Sequence, residues 1–172
     1  MYKKGDMIVY ENTGVCKIAD IRRIDGCGEK LYYCLEPVFE AGVIYSPVES
    51  KKVSIRPAVS KAEAESIINA IPSVNAESFC CKSFKELTEH YKDIMNTHSC
   101  KNLVELLMSI HKKKQAAIKN GRKIGQIDER FMKKAEDMLY GEFSVSLGIP
   151  KDEIEGYIKS KVESIRLFAQ PK

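Results

Sequence analysis

The side chains that could carry chemistry in this chain are three histidines, six cysteines and a dense lysine cluster. His90, His98 and His111 all fall in segments of helical period, with no nucleophile or paired carboxylate at a matching spacing. Each reads as a solvated surface group rather than a general base. No phosphate-binding glycine loop, no H-E-x-x-H and no G-x-S-x-G is present. Cys16, Cys27, Cys34, Cys80, Cys81 and Cys100 show no C-x-x-C pair and no regular spacing. They are expected to be reduced and mostly buried, each acting as a small hydrophobe. A zinc site drawn from Cys80, Cys81, His90, His98 and Cys100 is the alternative, but its spacing fits no common ligand pattern. The expectation is therefore no enzyme, no cofactor and no metal.

The lysines point elsewhere. The formal charge is +4, and residues 76–172 carry the whole excess, with 18 basic against 14 acidic side chains. Between 112 and 134, nine lysines and arginines face only Asp128 and Glu129. Lys112, Lys113, Lys119, Arg122 and Lys123 are candidate contacts to an anionic partner, and a phosphate backbone is the natural one. Lys85 and Lys92, seven apart on one helix, share a face and form a second candidate set. A lysine-rich solvated surface is the competing reading. No helix here resembles a major-groove reader, so sequence-specific recognition is not expected.

Two kinds of element must position these groups. The first 57 residues read as short strands between turns: Met7–Tyr10, about 15–22, Leu31–Leu35, Val43–Ser46 and Val53–Ile55. Turns are marked by Asn12-Thr-Gly14 and Asp25-Gly-Cys-Gly28, and stops by Pro47 and Pro57. Five such strands suggest a small barrel of SH3 or Tudor type, a fold that binds partners along an edge or face. From residue 58 the period is helical. Ser60/Glu63 and Ser83/Glu86 have capping-box spacing. Phe84, Leu87, Tyr91, Ile94 and Met95 form one apolar stripe, and further helices cover about 100–120 and 127–147. Pro72 should end the first helix, and Pro150 should begin the last, whose inward residues are Ile154, Ile158, Val162 and Ile165. The expected class is α+β: a β-domain over 1–57, then a bundle of about five helices over 58–172. The chain shows no apolar run long enough for a membrane span and no signal-peptide pattern at its start. A cytoplasmic monomer is the expectation.

Several of these segments resemble a known family. Lys4-Gly-Asp6, Ile8-Val-Tyr10, Gly14, Tyr33-Cys-Leu35 and Ser46-Pro47 are similar to the RNA-polymerase-interacting domain of CarD regulators, which also occurs in the transcription-repair coupling factor. His90-Tyr-Lys92, Leu103–Leu107, Ala135-Glu-Asp-Met-Leu139 and Gly141-Glu-Phe143 continue the resemblance in the same order through the helical half. It implies a Tudor-like domain docked on the polymerase β subunit. It also implies a helical domain touching promoter DNA at the upstream edge of the bubble, stabilising the open complex. Two departures stand out. The family's tryptophan wedge at the start of the second C-terminal helix aligns with Leu87, which serves either as a replacement wedge or as core. Arginines used by relatives for polymerase contact align with Ile24 and Tyr45. Arg22 and Arg23 either replace that charge or merely end a solvated hairpin. An RNA- or ribosome-associated protein with an SH3-like barrel is the alternative reading, and a small enzyme with an unrecognised site is a remote third.

Overall fold

A computed structural model describes residues 1–11, 13–26, 28–50, 53–81 and 83–169. Asn12 of the first expected turn and Cys27 of the second lie outside the described residues. The chain divides into two compact units, Met1–Val59 and Ser60–Lys172.

The first unit is an antiparallel sheet of β1 (Met7–Tyr10), β2 (Gly14–Arg23), β3 (Leu31–Pro37), β4 (Ile44–Pro47) and β5 (Ile55–Pro57), in the order β4-β3-β2-β1-β5. It is an open sheet with β4 and β5 at its edges, not the closed barrel expected from strand count. Both edge strands are short and end in proline, which donates no ladder hydrogen bond and so belongs at an edge. The prolines sit inside the ladders rather than stopping them: Pro47 lies opposite Tyr32, and Pro57 opposite Ile8. The last strand correspondingly begins at Ile55, later than the β-branched Val53 suggests.

The core is built on one face. Register places Ile8 opposite Cys16, and Ile18 opposite Leu35, which in turn faces Ile44. Ile8, Cys16, Ile18, Tyr33 and Leu35 are buried, with Ile44 and Ile55 from the two edges packed against them. A bulge between Ile18 and Asp20 inserts Ala19, a device that bends a strand and increases its twist. Tyr2 ties strands that are not neighbours. Its backbone N–H donates to the Tyr33 hydroxyl of β3 at 3.1 Å, and its own hydroxyl donates to the Ile55 carbonyl of β5 at 3.3 Å.

The second unit contains α1 (Lys61–Ala70), α2 (Phe84–Asn96), α3 (Cys100–Lys119), α4 (Gln126–Leu147) and α5 (Ile154–Ala169). Short 3-10 turns occupy Ile71–Ser73 and Lys151–Glu153. The Ser60 capping box forms in both directions. At Ser83 the forward bond forms, Oγ accepting from the Glu86 amide at 3.3 Å, without the return arm among the described residues. Gly148 ends α4 in the left-handed region at φ 68°, a backbone conformation that favours glycine. Pro150 precedes a 3-10 turn in extended conformation, ψ 140°, so the last α-helix starts at Ile154 rather than at the proline.

α4 is the hub, contacting α1, α2, α3 and α5. Its buried Phe131, Ala135, Leu139 and Phe143 recur at helical spacing. Leu103, Leu106, Leu107 and Ile110 of α3 and Leu87, Tyr91 and Met95 of α2 complete the core. The stripe expected on α2 is shorter than its spacing suggests. Ile94 is half-buried, and Phe84 stands 79% exposed.

Candidate functional site

Two surfaces gather the candidate residues, one in each unit. In the β-unit, pairing places Arg22 opposite Tyr32, and Tyr32 opposite Pro47. Tyr45 lies opposite Cys34 in the adjoining row of the same face. The Arg22 Nη2 donates to the Tyr45 hydroxyl at 3.0 Å, with the guanidinium carbon 5.8 Å from the ring centroid. Two candidates that are 23 residues apart in sequence thus form one exposed cation and aromatic pair across β2, β3 and β4. Arg23, the next residue along β2, points to the other side and pairs with Glu29 at 3.0 Å. Both partners are well exposed, so this pair contributes little to stability. Ile24 is half-buried just past β2, without a polar role.

Apolar side chains that pattern reading did not single out are exposed at the two ends of β4, Leu31 at 42% near Pro47 and Val43 at 49% before Ile44, with the candidate Tyr45 at 45% between them. They flank β4, whose outer edge is unpaired among the described residues. An unpaired strand edge beside apolar side chains and an arginine is suited to accepting another protein chain. The missed signal was available: Val43 lies beside a glycine and ahead of an edge strand ending in proline.

In the helical unit the candidates separate by what they already touch. Lys113 is committed internally. Its Nζ lies 3.0 Å from Asp128 Oδ1 and 2.8 Å from the Tyr91 hydroxyl, which itself donates to the same carboxylate oxygen at 2.5 Å. This triad joins α2, α3 and α4, and its ion pair has only 15% and 12% side-chain exposure. Burial first, and then Asp128, pushes the Tyr91 phenol far above its ordinary value, so it stays protonated and donating. Lys112 braces the segment before α2, donating to the Ala76 carbonyl at 2.6 Å. Leu87 is 8% exposed and lies in the core, as its place on the apolar stripe required.

Lys85 and Lys92 on α2 are exposed, as are Lys119, Arg122 and Lys123 at and beyond the end of α3. The three-residue link between α2 and α3 makes them antiparallel neighbours. The first turn of α2 therefore lies toward the end of the bundle where α3 finishes. Phe84 and Lys85 share that end with Lys119, Arg122 and Lys123. Phe84 is the residue that sequence reasoning misplaced. Its signal was its position: as the first helical residue after the Ser83 cap, it has no preceding turn to pack on.

Among the described residues no three histidine, cysteine or acidic side chains converge as metal ligands. Of the zinc alternative's residues, Cys100 donates to the Glu142 carboxylate at 3.1 Å inside the bundle, while Cys80 is exposed. No described helix is long and apolar enough to cross a membrane.

No curated protein matches the chain. Residues 2–59 match the family model of the CarD-like/TRCF RID domain. That span coincides with the β-unit, so about a third of the chain is similar to this RNA-polymerase-interacting domain.

Proposed function

We propose that this protein is a CarD-like transcription regulator that acts by binding and not by turnover. Its β-unit grips the RNA polymerase β subunit, and its helical unit touches promoter DNA without reading sequence, modulating the stability of the open complex. The observation that carries this reading is the family match over residues 2–59, since it supplies the partner. The grip is assigned to the β4 edge with Arg22 and Tyr45. Arg23 and Ile24 lie at its margin.

The DNA contact is assigned to Lys85, Lys92, Lys119, Arg122 and Lys123, which are exposed. Lys113 is held in its ion pair with Asp128 and Lys112 donates to the Ala76 carbonyl, so neither is counted among these contacts. Phe84, rather than the buried Leu87, is the apolar group offered to an unstacked base step, because it alone of the two is open to solvent. Such a regulator needs only a higher affinity for melted than for closed promoter.

The test is a pull-down of the full chain with the isolated polymerase β lobe. Retention is expected, with loss in the double variant Arg22→Glu, Tyr45→Ala at unchanged thermal stability. Recovery of nothing by the parent chain overturns the proposal.

A further inference from the structure

We propose that Cys80 and Cys81 form a peroxide-oxidisable dithiol that controls the start of α2. Cys16, Cys34 and Cys100 are buried, whereas Cys80 is exposed and Cys81 half-buried beside it. The two lie in residues 74–81, which adopt no regular secondary structure. The Cys81 thiol donates to the Ser83 carbonyl at 3.1 Å. That carbonyl also accepts the Leu87 amide at 3.1 Å, the first backbone bond of α2. The Ser83 side chain caps the same turn. A thiol hydrogen thus supports the residue from which α2 begins.

The chemistry balances with a hydroperoxide as oxidant. The Cys80 sulfur attacks a peroxide oxygen and the O–O bond breaks. The departing oxygen takes the Cys80 proton, leaving a sulfenic acid. The Cys81 sulfur then attacks the sulfenic sulfur, the S–O bond breaks, and the hydroxyl leaves as water with the Cys81 proton. Two thiols lose two electrons and two protons, and the peroxide is reduced. Adjacent Cα atoms are only ~3.8 Å apart, below the usual disulfide span of roughly 4.4–6.8 Å. The ring is therefore strained and readily reopened by a dithiol. Once it closes, Cys81 has no hydrogen to give Ser83, and the first turn of α2 loosens around Phe84 and Lys85. Lower DNA affinity is the consequence, and that consequence alone rests on the reading of this surface given above.

The experiment uses the full chain carrying Cys27→Ser, treated with hydrogen peroxide. Mass spectrometry should show loss of two hydrogens within the peptide holding Cys80 and Cys81, reversed by dithiothreitol. Amide exchange at Glu86 and Leu87 should accelerate several-fold in the oxidised form. Cys80→Ser and Cys81→Ser should each abolish both effects. An intermolecular dimer, a sulfinic acid at Cys80, or unchanged exchange in the oxidised form overturns the proposal. Unequal DNA affinities of the reduced and oxidised forms support the consequence, and equal affinities remove it. A reduced form that binds no DNA counts against the DNA surface and leaves the thiol chemistry to the mass and exchange data.

Discussion

Leu87 and Phe84 are three residues apart on one helix, yet they meet different surroundings. Leu87 is covered by the bundle, so Leu87→Ala removes core contacts and should cost roughly 2–5 kcal/mol. Phe84→Ala removes a side chain that touches mostly water and should change stability by less than about 0.5 kcal/mol. Urea titrations of both variants, beside open-complex lifetimes, separate packing from contact. A stable Leu87→Ala protein with shortened lifetimes would return the wedge to Leu87. Lys113 poses a related question, because its partners Asp128 and Tyr91 are buried. Lys113→Met leaves a carboxylate without its cation, a loss on the order of 3 kcal/mol. Adding Asp128→Asn should restore part of it, and a double variant as weak as the single one would refute the pairing.

At the scale of elements, α3, α4 and α5 meet through ionisable groups rather than through oil alone. His111 lies 3.9 Å from Glu136, with Lys114 on its own helix and Glu155 and Lys159 on α5 acting on it. Desolvation, with Lys114 adding to it, holds His111 below its ordinary value. The unfolded chain therefore binds this proton more readily than the folded one, and stability falls as pH drops through the histidine's ordinary range. Glu136 is pushed upward by burial and opposes that trend, since protonating it relieves its desolvation. His111→Gln removes only the first contribution. Its denaturation midpoint should fall less than the parent's between about pH 7 and about pH 5. Parallel midpoints would show that the histidine is not coupled to folding.

For the whole molecule, the chain divides into two compact units, and the positive excess lies in residues 76–172, within the second. The sheet unit has an open edge and a cation beside an aromatic ring, and the helical unit exposes Lys85, Lys92, Lys119 and Lys123. Binding of the full chain to duplex DNA should weaken steeply with salt, each phosphate contact adding about 0.9 to the slope of log K against log salt. Replacing Lys119, Arg122 and Lys123 with glutamine should flatten that slope, with the Arg22 and Tyr45 variant leaving it unchanged. A flat response in the parent would mark these lysines as ordinary solvated groups.

The spacing of apolar residues and the turn residues announced five strands and five helices, because periodicity of two or 3.6 records which face is buried. The capping serine at position 60, the buried α4 stripe and the core role open to Leu87 were legible for that reason, while the likeness of the first unit to a polymerase-interacting domain was legible from its motifs. Local pattern carries no record of which strands finally pair or of what stands opposite a side chain. Only the tertiary structure left the sheet open, joined Arg22 to Tyr45 across β3 and placed Pro47 and Pro57 inside edge ladders. It likewise withdrew Lys113 into an ion pair with Asp128 and left Phe84 in solvent, because a side chain's partners come from elements distant in sequence.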